Sequence, residues 1–266
     1  MKAVRTIYLA VVMLFLYIPI LTLMIFSFNE SKSMFKWTGF SFRWYREMFS
    51  DEQIISAILN TFSIAAVSSF LATILGTLAC IGIMAMRKHS ENVIMGLNNI
   101  TLLNADIVTG ISLMLGFIAF GFYLNRGTVL LAHITFSVPY VILSVMPKFK
   151  QLGPSSYEAA LDLGASPSYA FRKVVLPELR PGIVAGFLLA FTMSVDDFVV
   201  THFTRGAGIN TISTLIYSQV KVGIRPTLFA LSSLIFVTVL AMLLVVNLLS
   251  DRSAAEEEFF YEVTQS

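Results

Sequence analysis

Six long apolar stretches, at residues 7–27, 57–86, 100–122, 128–146, 181–202 and 227–249, leave this chain few choices of fold. A helix needs about 20 apolar residues to cross a hydrocarbon core roughly 30 Å thick, and the stretches are of that order. None shows the apolar–polar alternation of a barrel strand, so helices are the spanning form. With 56% hydrophobic residues, 13% charged residues and a mean hydropathy of +0.79, the chain is too apolar for a soluble domain. The expected fold is an all-α membrane protein with six transmembrane helices, in which residues 1–266 form a single transmembrane domain.

Basic residues give the orientation. With the N-terminus inside, Lys2, Arg5, Arg87, Lys88, Lys148, Lys150, Arg172, Lys173, Arg180 and Arg252 are cytoplasmic. Lys32, Lys36, Arg43, Arg46, Arg126, Arg205, Lys221 and Arg225 are then outside. The margin is small, but the Arg87-Lys88 and Lys148/Lys150 clusters sit at span ends, where the positive-inside rule weighs most. Both termini are expected in the cytoplasm, and the first span is expected to be retained, since it contains Pro19 and lacks a small-x-small cleavage site. The single cysteine, Cys80, lies within the second span and reads as a packing residue.

Small residues four apart mark close helix contacts. They occur at Gly182 and Gly186 in the fifth span and at Ala72, Gly76 and Cys80 in the second. Residues 93–99 read as an interfacial lead-in to the third span. Trp37, Trp44 and Tyr45, between the first two spans, suit the headgroup level or a partner surface. Ile212, Leu215, Ile216 and Val220 fall at helical spacing and predict a short surface helix.

The polar insert at residues 148–180 is organised. Ser155 or Ser156 can cap a helix whose first turn carries Glu158, and Gly164 can end it in a left-handed conformation. Pro167 suits the start of a second short helix, over residues 168–175, which Leu176-Pro177 is expected to stop. The tail at residues 251–266, with Glu256, Glu257, Glu258 and Glu262, reads as a solvated cytoplasmic end.

Carboxylates inside the spans point most directly to function. Asp106 follows Asn104-Ala105, and Asp196-Asp197 lie between Val195 and Phe198. A carboxylate at a span centre costs about 2.5–3.5 kcal/mol on insertion scales, so each needs a cavity, a partner or a proton. Acids facing a path favour a cationic solute, and Phe198 and Tyr217 can add cation–π contacts. The candidate substrate path is Asp106, Asp196, Asp197, Phe198 and Tyr217. The alternative for the acid pair is a structural contact with Arg205 or a partner's base. His133 and His202 read as packing or interfacial residues.

Glu158-Ala159-Ala160, three residues, Gly164, nine residues, Val174, one residue, then Leu176-Pro177 closely resembles the EAA loop of permease subunits in bacterial ATP-driven importers; Val174 departs from the usual Ile. Tyr17-Ile-Pro-Ile, Ser27-Phe-Asn-Glu-Ser, Trp37-Thr-Gly-Phe, Trp44-Tyr, Ala105-Asp106-Ile-Val, His133-Ile-Thr-Phe, Ser194-Val-Asp-Asp-Phe-Val-Val and Tyr217-Ser-Gln-Val-Lys-Val-Gly extend the resemblance to spermidine/putrescine importer permeases of PotC-like type. The resemblance implies a type I ABC importer permease fold in the bacterial plasma (inner) membrane. It implies a second homologous permease, two cytoplasmic ATPase subunits that bind ATP and Mg, and an external substrate-binding protein as partners.

The resemblance also makes Glu158, Ala159, Ala160, Asp162, Leu163, Gly164, Leu176 and Pro177 the element that couples the permease to the ATPase. The chain has no G-x-x-x-x-G-K-[ST] phosphate loop, so neither catalysis nor a cofactor is expected in it, and no metal site or nucleic-acid partner is indicated. The competing reading is an importer of another solute, or an autonomous cation carrier using the three acids as a relay.

Overall fold

The computed structural model describes residues 2–32, 36–152 and 155–241. Apart from one isolated bridge between Asn29 and Phe40, the described regular structure is helical. The chain divides into two compact units, Ser56–Ser218 and the described residues of Met1–Ile55 with Gln219–Ser266.

In the second of these units, α1 (Lys2–Ser27) is apolar beyond its basic first turns and contains Pro19. It is followed by an extended segment and α2 (Arg43–Ser50). Asn29 organises the segment: its side chain donates to Lys36 O at 2.9 Å and accepts from Thr38 N at 3.1 Å. Trp44 is buried and its indole donates to Asn29 O at 2.6 Å, so it anchors this turn from within, whereas Trp37 is half exposed. Tyr45 shares a 2.8 Å hydrogen bond with Ser27.

The larger unit is built mainly from α3 (Glu52–Met84), α4 (Lys88–Leu103), α5 (Asp106–Ala119), α6 (Arg126–Leu152), α7 (Ser155–Asp162), α8 (Pro167–Ala170), α9 (Leu176–Asp196) and α10 (Val199–Thr204). Its core joins Ala72, Cys80 and Ile83 of α3, Val141, Ile142, Val145 and Met146 of α6, and Ala190 of α9. Glycines make this packing possible. A Cβ on Gly76 would stand 2.6 Å from Val141 Cγ1, one on Gly182 2.9 Å from Lys148 Cγ, and one on Gly186 3.3 Å from Val141 Cγ1. The small-residue spacings of the second and fifth spans therefore both serve the close approach of α3 and α9 to α6.

Four segments are long and apolar enough to cross a membrane: Arg5–Ser27, Glu52–Met84, Arg126–Leu152 and Pro167–Asp196. α4 and α5 are apolar enough only when taken together, and they are bent by 104° at the break between them. The sixth expected span begins with the apolar helix α12 (Thr227–Ala241), and the rest of residues 227–249 lies outside the described residues, as does the tail at 251–266. α11 (Ile212–Val222) is the predicted short helix before α12.

Three expectations are corrected. The third span is not one straight helix over 100–122, because Asn104 and Ala105 are extended and divide it. Residues 93–99 are not a lead-in but the body of α4, whose buried Asn98 donates to Pro139 O at 3.3 Å. The fifth span, expected to run over 181–202, ends at Asp196, and the extended Asp197 turns the chain into α10.

The insert behaves as two parts. α7 ends in a Schellman motif, with Gly164 N donating to Leu161 O at 2.9 Å, Ala165 N donating to Ala160 O at 3.1 Å, and Gly164 at φ +86. Pro167 opens α8 as expected, but Leu176-Pro177 does not stop the helix. A single widened π-helical turn, Phe171–Val175, carries α8 into α9. Pro177 lacks the N–H that would reach back to Lys173, and the widened turn just before it accommodates that missing bond.

Candidate functional site

The two breaks in the spans meet. Asn104, Asp106 and Thr109 from the α4–α5 break, and Met193, Asp196, Asp197 and Phe198 from the α9–α10 break, line a cleft of about 200 Å³. Thr101, Phe136, Tyr140, Val199 and Val200 complete its wall. Both breaks have a local cause. Short polar side chains offer the backbone alternatives to helical bonding. Asn104 Nδ2 donates to Thr109 Oγ1 at 2.9 Å across the first bend. At the second, the Asp197 carboxylate accepts from Val200 N at 3.1 Å and from Thr201 N and Oγ1 at 2.7 Å each, satisfying donors that α10 leaves unpaired at its start.

α5 and α10 are held together at Gly110, where a Cβ would stand 3.1 Å from Phe203 Cδ2 and 3.3 Å from Val200 Cα. This contact carries the N-terminus of α5, with Asp106, alongside the start of α10. Backbone that is not helical at membrane depth is tolerated where it lines a cavity or is buried in protein. The cleft meets that condition for both breaks.

The predicted path residues separate on this geometry. Asp106 and Asp196 are exposed in the cleft, and their carboxylates form no hydrogen bond or ion pair with any described residue. Asp197 lines the same cleft, but its side chain is 8% exposed and its oxygens are occupied by the N-terminus of α10. Phe198 is in the wall. Tyr217 lies behind it, with ring centroids 4.6 Å apart, and is not part of the lining. Arg205 does not pair with the acids; it donates to Ile209 O at 2.9 Å and to Asn210 Oδ1.

The sequence reading missed Thr101, Asn104, Thr109, Phe136 and Tyr140 as wall residues and His133 as their neighbour. The signal for Thr101, Asn104 and Thr109 was a run of polar residues clustered around Asp106 in an otherwise apolar stretch. His133 is fully buried, with Nδ1 2.6 Å from Ser194 Oγ and Nε2 2.9 Å from Thr201 Oγ1.

In the insert, Glu158, Ala159, Asp162, Leu163 and Gly164 are exposed and Ala160 is half-buried. Leu163 is 90% exposed, an apolar side chain offered to solvent at the end of α7. Leu176 and Pro177 are half-buried within the continuous helix that becomes α9.

The model of a protein family described as "Binding-protein-dependent transport system inner membrane component" matches residues 53–255. The chain belongs to this family. This inner-membrane component is 40% identical over 228 residues to the Escherichia coli K12 "Putrescine transport system permease protein PotI", covering 83% of this chain and 81% of that protein. It is 35% identical over 249 residues to the Haemophilus influenzae "Spermidine/putrescine transport system permease protein PotC", covering 94% of this chain and 97% of that protein.

Among solved structures, a chain of a bacterial ABC transporter involved in the import of the acidic polysaccharide alginate superposes with a TM-score of 0.73 at 16% identity, covering 94% of this chain and 95% of that one. A chain of the MetNI methionine ABC transporter in an inward-facing conformation gives a TM-score of 0.58 at 18% identity, over 71% of this chain and 89% of that one. The fold is that of a type I ABC importer permease. The chain is thus an inner-membrane permease component of a binding-protein-dependent transport system.

Proposed function

We propose that this permease moves linear polyamines, putrescine or spermidine, into the cell by alternating access. The observation that carries the reading is the pair of uncompensated carboxylates, Asp106 and Asp196, brought to one cleft by two helix breaks. An ammonium group entering the cleft supplies the charge that both lack. The C-terminal turn of α9 adds carbonyl oxygens of the same polarity. Phe136, Tyr140 and Phe198 offer aromatic faces and edges for the methylene chain between ammonium groups. Relatives 35–40% identical over most of the chain are named as putrescine and spermidine/putrescine permeases, which supports the same solutes.

The subunit works as half of a pair, beside a second homologous permease, with an external binding protein delivering the solute. Two cytoplasmic ATPase subunits drive the cycle, holding ATP and Mg themselves. Their contact is the exposed end of α7, from Glu158 to Gly164, with Leu163 as its apolar point. Leu176 and Pro177 act within the helix that carries this movement toward the cleft. The N- and C-termini lie in the cytoplasm, which places the insert on the ATPase side. ATP affinity that differs between the inward-open and outward-open states supplies the work.

Uptake of labelled putrescine and spermidine by liposomes containing the permease pair, the ATPase and the binding protein tests this reading. Uptake that requires both ATP and the binding protein is expected. ATP-dependent uptake of neither polyamine would remove the substrate, and uptake by this chain alone without ATP would replace the importer mechanism with a carrier.

A further inference from the structure

His133 sits where the two sides of the α9–α10 break can both be reached by one side chain. It projects from α6 and is fully buried. Its Nδ1 lies 2.6 Å from Ser194 Oγ, in the last turn of α9, and its Nε2 lies 2.9 Å from Thr201 Oγ1, in α10. Nε2 is also 3.4 Å from Asp197 Oδ2. Ser194 Oγ is in turn 3.2 Å from Ser68 Oγ on α3. A connected run of polar groups therefore joins α3, α6, α9 and α10 through an otherwise apolar interior.

Donor accounting fixes the direction of the bonds. A threonine hydroxyl has one proton, and that of Thr201 is donated to Asp197 Oδ2 at 2.7 Å. Toward His133, Thr201 Oγ1 can then only accept, and the Asp197 carboxylate can only accept. Nε2 must carry a proton. In the neutral ring Nδ1 is the acceptor, and Ser194 donates to it. The ring is thus a bridge with assigned polarity, not a space-filling residue.

We propose that His133 is the positioning residue that holds the α9–α10 break in the shape that presents Asp196 to the cleft. Asp196 is the last residue of α9 and Asp197 is extended, so the backbone angles at Asp197 decide how α10, and the cleft wall it carries, stands relative to the Asp196 carboxylate. Those angles are held by the capping bonds of Asp197, and His133 holds the capping hydroxyl and carboxylate from behind. No part of the ring needs to touch the solute. The inference rests on the cleft being the solute path.

The test compares His133→Phe, His133→Gln and His133→Asn in the assembled transporter, by uptake kinetics and by hydrogen exchange of the peptide carrying Val200 and Thr201, whose amides donate to Asp197. Phe keeps the volume and loses the bridge. Gln places an N–H donor near the position of Nε2, and Asn is too short to do so. The expected result for Phe and Asn is an apparent KM for putrescine raised about tenfold with Vmax within about twofold, and faster exchange at the two amides. Gln is expected to restore both. In the Asp196→Asn background the effect of His133→Phe on KM should largely vanish, because the two residues act in one chain.

Unchanged KM and exchange in assembled His133→Phe would overturn the proposal, as would identical behaviour of Gln and Asn. If Phe prevents assembly, the contrast between Gln and Asn still decides. A wild-type complex that takes up no polyamine would remove the substrate reading, while the exchange contrast would stand or fall independently.

Discussion

Asp196 and Asp197 are neighbours in the chain and opposites in environment. The Asp197 carboxylate accepts from Val200 N, Thr201 N and Thr201 Oγ1, whereas the Asp196 carboxylate has no hydrogen bond or ion pair among the described residues. Charge removal should therefore do different things at the two positions. Asp196→Asn is expected to lower uptake of a cationic solute about tenfold at subsaturating concentration, equivalent to about 1.4 kcal/mol, with normal assembly. Asp197→Asn is expected to destabilise the complex by about 1 kcal/mol, because the amide nitrogen that replaces one carboxylate oxygen cannot accept from Thr201 N and Oγ1. Uptake assays and thermal denaturation of the purified complex separate the two; an Asp197→Asn complex that melts like wild type would contradict the capping role.

Glycines 76 and 82 lie on one helix and make a matched pair. A Cβ at Gly76 meets Val141 at 2.6 Å, while one at Gly82 meets nothing within 4 Å. Gly76→Ala should destabilise the packing of α3 on α6 by about 1–3 kcal/mol. Gly82→Ala should be neutral or stabilise by up to about 1 kcal/mol through helix propensity. Melting of the two variants in detergent checks the order.

Gly164 has open space around it and φ +86, so its constraint lies in the backbone alone. Gly164→Ala should cost about 1 kcal/mol in the Schellman turn, and Gly164→Val more. Membrane insertion should survive. The expected loss is in uptake and in the stimulation of ATP hydrolysis by the loaded binding protein; full stimulation in Gly164→Val would remove this turn from the coupling path.

Gly110 faces α10 so closely that only a hydrogen fits comfortably. Gly110→Val should push Val200 and Phe203 away and widen the cleft between the breaks. Weaker apparent affinity for the solute at near-normal subunit assembly is expected, and an unchanged KM would show that the α5–α10 contact does not shape the site.

Local features of this chain were readable in advance. Gly164 and Pro167 act through their own backbone preferences, so the turn and the helix start are where residue type places them. The three acids were flagged by the cost of burying charge, and all of them line the cleft. The breaks themselves were not visible to hydropathy, because Asn104 and Asp197 interrupt apolar stretches without lowering their average much.

Pro177 misled for a related reason: residue type marks it as a stop, but the π turn that absorbs it depends on how Phe171–Val175 pack. The spacing of Gly182 and Gly186 announced a close contact without naming α6 as its partner. The bridging place of His133 could not be read, and residue type alone suggested packing or an interface. Its partners are 61 and 68 residues away, and only the assembled helices bring them within reach.

The union of α8 with α9 bears on how economically such a transporter runs. From Pro167 to Asp196 the chain is one helical body, roughly 45 Å long at 1.5 Å per residue, with a widened turn but no loop. A slack joint there would let the ATPase cycle idle while the cleft stayed still. With helix from Pro167 to Asp196, a stroke handed across the short turn at residues 163–166 from the proposed motor contact and a change at Asp196 belong to the same event. Slippage, measured as ATP consumed per solute delivered, should accordingly be low, and should rise when a few glycines are inserted after Ala170.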